Sequence, residues 1–386
     1  MDDFLEERNN FGAWNYLVSS NGSRMKFNST FFYPLNPAKI FEFWFKRYIS
    51  GKRIFPVTIL YRTQNKCSDN CFFCQTRALR SQNQNTSFDF LKKSIIELDK
   101  NIISIRFDGL GEPFLIPSLK KLLDLADKRN ILTSIISNGT TFIKDDIEEV
   151  AKHAKFIRFS LDAVSENTHN LVHRPHETDS FKKRIAQIKK LCRIRQKMNP
   201  KCIVGGHFVI SKINYKEILP FTKLIKKIGA DFVDFCLLKN NEMLVHGSVV
   251  GIQKQVKKHI EEAKGLTDDN FHLLYRENSS MDKKKLLEYI RNRGVCWHSL
   301  FMPVINSKGK LITCGKYEES VNNTNTKEKG KFKSIYCQNF GPCYFTYFNF
   351  VADWVRKEVE VDQNVIFSRA LVNNAGKIIK YFDKIN

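Results

Sequence analysis

The feature that most constrains the fold is a repeated alternation of short apolar runs and amphipathic segments after residue 55. Six apolar runs have the length and composition of buried strands: 55–63, 103–109, 132–139, 156–162, 203–210 and 232–238. The segments between them place apolar residues at helical spacing, and a sixth such segment follows at about 249–264. Strands that alternate with helices form parallel sheets that are buried on both faces.

The alternation therefore predicts an α/β fold with a specific architecture. Right-handed crossovers wind a parallel sheet into a barrel or part of one, so we expect a partial (β/α)6 TIM-like barrel over residues 55–266. In such a fold the functional site lies at the carboxyl ends of the strands. The rest of the chain would comprise an aromatic-rich lead-in over 1–54, a small cysteine-containing domain over 267–345 and a helical tail over 346–386.

The formal charge of +23 allows two interpretations. Lysines on solvated helix faces would account for it, because the basic residues are spread along the whole chain. A nucleic acid or another polyanion is the other interpretation, which we do not favour. The acidic amino terminus does not resemble a signal peptide, and no apolar run is long enough for a membrane span. We expect a cytoplasmic protein.

Ten cysteines in a cytoplasmic chain indicate metal or redox chemistry rather than disulfides. Cys67, Cys71 and Cys74 follow the first strand with the spacing Cys-x3-Cys-x2-Cys. Three thiolates on one loop can bind three irons of a [4Fe–4S] cube and leave the fourth iron open to another ligand. A zinc site completed by a distant residue and unrelated core cysteines are the alternatives.

The segment CSDNCFFC (67–74) resembles the signature loop of the radical S-adenosylmethionine (SAM) superfamily, including the aromatic Phe73 before the third cysteine. The resemblance implies a [4Fe–4S] cluster whose open iron binds SAM. It also implies reductive cleavage of SAM to a 5′-deoxyadenosyl radical, which abstracts hydrogen from a substrate C–H bond. An external electron donor such as flavodoxin or ferredoxin would reduce the cluster.

Further short motifs at the ends of later strands extend the resemblance over about residues 55–240. GLGEP (109–113) is similar to the family's Gly-Gly-Glu-Pro motif, with Leu110 inserted between the glycines. SNG (137–139) and FSLDAVSENTHNLVHRP (159–175) resemble the motifs after the third and fourth strands. VISKIN (209–214) and DFVDF (231–235) resemble the ends of the fifth and sixth strands, which hold adenine in the family.

The resemblance implies contacts to SAM for residues of these motifs. Ser160 would donate a hydrogen bond to SAM, and Arg174 would pair with its carboxylate. The other implied SAM-binding residues are Phe73, Gly109, Gly111, Glu112, Pro113, Ser137 and Asn138.

Four later cysteines form a second candidate metal site. Cys296 and Cys314 lie at the two ends of a predicted hairpin with Gly309 in its turn, and Cys337 and Cys343 bracket a short turn. The pattern is similar to the SPASM extension of radical SAM enzymes or its shorter form, Twitch. Four cysteines fit the Twitch form with one auxiliary [4Fe–4S] cluster, and a structural zinc site is the alternative.

These motifs together predict a radical SAM oxidoreductase that acts on a peptide or on a small sugar-like substrate, with the auxiliary cluster as electron acceptor. Epimerisation is an alternative, for which Cys236 at the end of the sixth strand is the best-placed hydrogen donor. Modification of RNA or a nucleotide is another, and a zinc- and polyanion-binding protein without catalysis is the non-enzymatic alternative. We expect Cys192, Cys202 and Cys236 to pack in the core.

Overall fold

The structure is a computed structural model. It describes residues 17–18, 24–25, 56, 58–62, 64–74, 76–77, 86–98, 102, 104–116, 118–140, 146–238, 249, 251–276, 301–309 and 311–312. The predicted second metal site lies outside the described residues, because none of Cys296, Cys314, Cys337 and Cys343 is among them. Most of the lead-in and the whole tail also lie outside them.

The described residues contain one large sheet of nine strands. In chain order the strands are β1 Thr58–Arg62, β2 Ser104–Phe107, β3 Leu132–Ser137, β4 Phe156–Ser160, β5 Ile203–Ile210, β6 Phe232–Leu237, β7 His272–Arg276, β8 Val304–Asn306 and β9 Leu311–Ile312. Their spatial order is β9-β8-β1-β2-β3-β4-β5-β6-β7. Every neighbouring pair is parallel except β8 and β9. All six predicted strands are confirmed, and the architecture is consistent with a partial TIM barrel.

The sheet is larger than the sequence predicts. β7 lies within the predicted cysteine-containing domain of 267–345, and the sequence does not predict it, because only five residues form the strand and polar residues precede it. The predicted hairpin is present as β8 and β9, with Gly309 at a φ of 73° in the turn. Its first strand pairs with the barrel sheet, where Val304 lies opposite Leu60 of β1. The division of the chain at residue 266 stays a prediction.

Helices connect the strands. They are α1 Phe88–Ile96, α2 Leu119–Lys128, α3 Asp146–His153, α4 Glu166–His173, α5 Ser180–Met198, α6 Ile218–Lys227 and α7 Gln253–Lys264, with 3₁₀ turns at Pro113–Leu115 and Tyr215–Glu217. Ser87 caps α1 by accepting a hydrogen bond from the Phe90 amide. The sequence did not predict α4 as a separate helix. Among the helices described, none has both the length and the apolar composition that a membrane crossing requires.

Apolar side chains close the interior of the barrel below the carboxyl ends of its strands. The rings of Phe156 and Phe232 stack with centroids 5.6 Å apart, and Leu274 packs against them. Gly205 makes room for this stack, because a Cβ at this position would lie 2.1 Å from the Phe232 ring. A ligand therefore reaches the interior from the carboxyl-terminal side of the sheet.

The three isolated cysteines differ in burial, and this difference predicts their reactivity. Cys192 and Cys202 are buried, and burial raises the pKa of each thiol to about 12. Because the thiolate is the nucleophile, we expect iodoacetamide at about pH 8 to leave both unmodified in the folded protein. Cys236 is half-buried and should react faster. Peptide mass spectrometry measures this, and alkylation of Cys202 as fast as in concentrated guanidinium chloride would contradict the predicted burial.

Candidate metal and cofactor site

A cavity of ≈ 330 Å³ lies at the carboxyl ends of the strands, where the fold class predicts the site. The predicted site residues that line it are Cys67, Cys71, Phe73, Cys74, Gly109, Gly111, Glu112, Ser137, Asn138 and Ser160. Parallel pairing explains why residues from distant motifs meet here, since the strands all end at one edge of the sheet.

The structure does not bring two predicted residues to the cavity wall. Pro113 is buried in the 3₁₀ turn after β2 and is not among the lining residues. Arg174 ends α4 in a left-handed conformation with a φ of 47° and is exposed. The preceding residue, His173, lines the cavity instead. The pairing of Arg174 with the SAM carboxylate stays a prediction.

The three thiols of the first motif fit a metal cluster. Cys67, Cys71 and Cys74 are all half-buried and lie on one loop that faces the cavity. The loop is held by its own backbone, with the Cys74 amide donating to the Cys71 carbonyl over 3.2 Å. Arg77 also donates to the Cys71 carbonyl over 2.8 Å. Three soft thiolates on one loop are the donor set of an iron–sulfur cluster.

Gly111 and Glu112 fix the loop against β2. A Cβ on Gly111 would lie 2.1 Å from the Lys66 carbonyl oxygen, so only glycine fits beside the residue that precedes Cys67. The same Lys66 carbonyl accepts a hydrogen bond of 2.7 Å from the Glu112 amide. The contacts of Gly111 and Glu112 with Lys66 are thus sufficient to explain why glycine precedes glutamate here.

The Glu112 carboxylate joins the ends of β2 and β3. It accepts hydrogen bonds from the Ser137 hydroxyl over 2.7 Å, the Asn138 amide over 2.8 Å and the Phe114 amide over 3.0 Å. Burial raises the pKa of Glu112 to about 7, although these three donors oppose the shift. Asn138 continues the connection, because its side-chain amide donates to the Ser68 hydroxyl over 3.0 Å and lies 3.7 Å from Cys67 Sγ.

A buried ionic network holds the same loop from the other side. Asp69, between the first two cysteines, receives two hydrogen bonds from the Arg184 guanidinium of α5. His173 of α4 approaches Asp69 Oδ2 to 3.1 Å with Nδ1. Burial opposes ionisation of Asp69, but the hydrogen bonds from His173 and Arg184 prevail and lower its pKa. The side chains of Arg184 and Asp69 are 1% and 0% exposed, so solvent does not screen this pair.

His173 connects the network to the cysteines. Its Nδ1 lies 3.4 Å from Cys71 Sγ, and its Nε2 lies 3.0 Å from Asp162 Oδ2. Burial alone would lower the pKa of His173, but the neighbouring Cys71 and the two aspartates raise it well above its usual value. His169, one turn earlier, stacks on the ring at 4.6 Å, and burial together with the nearby His173 charge lowers its pKa to about 3.

Asp69, Cys71 and His173 offer three ligand atoms within 4.8 Å of one another, which raises the question of a mixed-ligand metal site. The hydrogen bonds speak against one. Asp69 is bound by Arg184 and His173, and each ring nitrogen of His173 faces a carboxylate. The three thiols are therefore the better donor set for a metal in this part of the chain.

Charged side chains also line the interior of the barrel. Arg62 Nε donates to Asp108 Oδ1 over 3.1 Å, and Arg106 donates to the other oxygen of the same carboxylate. On β4, β5 and β6 the charged residues of the interior are Arg158, His207 and Asp234. Arg158 and His207 both contact the Asp234 carboxylate. Burial would lower the pKa of His207, but the nearby Cys236 and Asp234 raise it to about 9. Motif spacing does not identify these residues, because they are single inward-facing positions on separate strands.

The sequence also contained a signal for the ionic network that the motif analysis missed. His169 and His173 are four residues apart, which places them on one face of α4. Unless α4 is recognised as a helix, Asp69 looks like an ordinary polar residue between two cysteines. Arg184 reads as one of many basic residues in a long amphipathic segment.

Residues 61–225 match the family described as "Radical SAM superfamily". This segment belongs to the radical SAM superfamily. It contains the last two residues of β1, the cysteine loop, β2 to β5 and all of the residues that line the cavity. The resemblance found in the motifs is confirmed at the level of the superfamily, whose members imply a [4Fe–4S] cluster and SAM in this site.

Individual proteins resemble the radical SAM domain of this chain. The tungsten-containing aldehyde ferredoxin oxidoreductase cofactor-modifying protein of Pyrococcus furiosus is 25% identical over 171 residues, 43% of this chain and 47% of that protein. The antilisterial bacteriocin subtilosin biosynthesis protein AlbA of Bacillus subtilis is 23% identical over 187 residues, 47% of this chain and 40% of AlbA. The match thus spans less than half the length of either relative.

The fold is also similar to that of a solved structure, Streptococcus suis SuiB bound to its precursor peptide SuiA. The TM-score is 0.53 and the identity 15%, over 75% of this chain and 66% of SuiB. At this identity the likeness concerns the fold. SuiB supports the barrel architecture of the radical SAM domain.

The Asp69–Arg184 pair gives a test of how the loop is held. We expect Arg184→Met to destabilise the protein by about 3–5 kcal/mol, because it leaves a buried carboxylate with one cation fewer. The double variant Asp69→Leu, Arg184→Met should cost much less than the sum of the two single variants. Urea unfolding of all three measures this coupling.

A neighbouring ion pair provides the control. Lys183 contacts Glu177 on the surface, and both side chains are 50% exposed. Lys183→Met should cost about 1 kcal/mol or less. Additive effects of the Asp69 and Arg184 substitutions would show that the pair does not hold the loop.

Proposed function

We propose that this chain is a radical SAM enzyme with the cysteine loop as its cluster-binding site. The observation that carries the proposal is the position of the three thiols of Cys67, Cys71 and Cys74, together at one cavity on the carboxyl edge of a parallel sheet. When bound there, a [4Fe–4S] cluster supplies the electron that cleaves SAM and so generates a 5′-deoxyadenosyl radical.

The residues around the loop would bind and orient SAM. Gly109 and Gly111 line the cavity with their backbone, and the side chains of Asn138 and Ser160 are hydrogen-bonding groups at the cavity wall. The stacked rings of Phe156 and Phe232 exclude water from below. A substrate would therefore lie in the barrel mouth, shielded from solvent where hydrogen is abstracted.

We further propose that the late cysteines bind an auxiliary cluster. Cys296, Cys314, Cys337 and Cys343 would fill all four corners of a second [4Fe–4S] cube, as in Twitch or SPASM domains. A closed cluster suits electron transfer. Acceptance of an electron from a substrate radical gives net oxidation, either dehydrogenation or cross-linking, so the chain would be an oxidoreductase.

The proposed substrate is a peptide or a small sugar-like molecule. The name of AlbA, a bacteriocin biosynthesis protein, supports the peptide, and the sequence offers no preference beyond that. The proposed reductant is an external one-electron donor such as flavodoxin or ferredoxin.

Iron content and SAM cleavage test the two cluster assignments separately. Anaerobic reconstitution should yield about eight iron atoms per chain and a protein that cleaves SAM under dithionite. Cys71→Ala should abolish cleavage. Cys314→Ala should lower the iron content to about four atoms per chain and leave cleavage intact, because it affects only the proposed auxiliary cluster.

Cys192→Ala is the matched control, since Cys192 packs in the core and should not affect iron content. Binding of zinc in place of iron, without SAM cleavage, would refute the proposal. Unchanged iron content in Cys314→Ala would refute the auxiliary cluster alone.

The position of Cys236 supports epimerisation as a second candidate. Its Sγ lies 3.6 Å from His207 Nε2, and its register partner on β5, Val209, lines the cavity. A thiol here could donate a hydrogen atom to a substrate carbon radical. The resulting thiyl radical would regain an electron from the external donor and a proton from solvent.

Deuterium incorporation distinguishes epimerisation from oxidation. We expect co-expression with a short peptide encoded beside the gene, in deuterium oxide medium, to give a product with one deuterium on each epimerised Cα. Cys236→Ala should lose this label but still cleave SAM. A product that has instead lost two hydrogens would exclude epimerisation, and mass spectrometry reads both outcomes.

A further inference from the structure

The imidazole ring of His173 is held between two carboxylates. Nδ1 lies 3.1 Å from Asp69 Oδ2, and Nε2 lies 3.0 Å from Asp162 Oδ2. The His173 side chain is 1% exposed and both aspartates are fully buried. Since an ionised carboxylate only accepts hydrogen bonds, the contact with Asp69 favours a hydrogen on Nδ1.

Both carboxylates are themselves fixed. Asp69 is bound by the Arg184 guanidinium through two hydrogen bonds. Asp162 has a left-handed φ of 53°, and its Oδ1 accepts a hydrogen bond from the Val209 amide of β5. A non-glycine residue in this conformation persists where its surroundings hold it, and such positions cluster at functional sites. The orientation of the His173 ring is therefore set from three parts of the barrel.

The fixed ring points one N–H toward a thiol of the cysteine loop. Nδ1 lies 3.4 Å from Cys71 Sγ, so its hydrogen is shared between Asp69 and the sulfur. His173 is buried and Cys71 is half-buried, so solvent screens this contact only weakly. Hydrogen bonds to the sulfurs and nearby charge are the features that tune the reduction potential of an iron–sulfur cluster.

We propose that His173 is a positioning residue that donates a hydrogen bond to the Cys71 sulfur and thereby makes the cluster easier to reduce. Reduction adds one electron to the cluster, and a donor N–H at a ligand sulfur stabilises the added negative charge. The inference rests on the proposed function, since it requires a cluster on Cys67, Cys71 and Cys74.

The adjacent histidine offers an internal control. His169 lies on the same face of α4, stacks on the His173 ring at 4.6 Å and does not line the cavity. His169→Phe retains the stacking and should leave the sulfur contact intact. A purely structural role for the pair would make both histidines matter equally for the cluster.

The test is a redox titration of the reconstituted holoprotein at one pH, followed by the electron paramagnetic resonance signal of the reduced cluster. It is carried out in the Cys314→Ala background, so that only one cluster contributes. His173→Leu removes the N–H donor and should lower the reduced fraction at a given potential about tenfold, which corresponds to a midpoint about 59 mV more negative. His173→Lys retains an N–H donor and should bring the midpoint most of the way back to that of the parent protein, and His169→Phe should titrate as the parent protein does.

Iron content is measured for each variant, so that loss of the cluster is distinguished from a change in its potential. A His173→Leu variant with full iron content and an unchanged midpoint would overturn the inference. So would an equal shift in His169→Phe. If His173→Leu does not retain iron, the comparison of His173→Lys with the parent decides, and a midpoint in His173→Lys more negative by the full tenfold equivalent would overturn it. If the parent protein binds no cluster, the proposed function fails first.

Discussion

The buried ion pair between Asp69 and Arg184 is the interaction on which the site depends. It connects the loop of three cysteines to the second turn of α5, in a position where neither charge contacts solvent. Burial of two charges costs free energy unless each charge forms its full set of hydrogen bonds. The pair therefore fixes the position of the loop rather than adding net stability. Because Asp69 lies between Cys67 and Cys71, its position determines where the thiols lie.

Around this pair, the carboxyl edge of the sheet assembles groups that are far apart in sequence. Glu112 accepts hydrogen bonds from residues after β3, Asn138 reaches back to the cysteine loop, and His173 contacts it from α4. Each connection crosses between two strands or between a strand and a helix. The loop is therefore fixed by its neighbours on both sides.

Much of the fold follows from local pattern. The six predicted strands are present because continuous apolar runs suit strands buried on both faces. β7 and the pairing of β8 with β1 were missed, because a five-residue strand has little periodicity and pairing partners are not encoded locally. The site shows the same limit. Arg174 matched a motif by residue type, yet the chain leaves α4 there in a left-handed conformation, so Arg174 is exposed and the last helical residue, His173, lines the cavity.

The sequence by itself determined the chemistry that this site can perform, because ligand type is a property of the side chain. Three thiols at Cys-x3-Cys-x2-Cys spacing, after a strand in a βα series, already indicated an iron–sulfur cluster, and the resemblance of their loop to the radical SAM signature implied SAM. The tertiary structure decided which groups surround those thiols. Asp69 and Arg184 are 115 residues apart, and Cys71 and His173 are 102 apart. Contacts over such separations depend on how strands and helices pack, and burial then determines which charges persist beside the thiols.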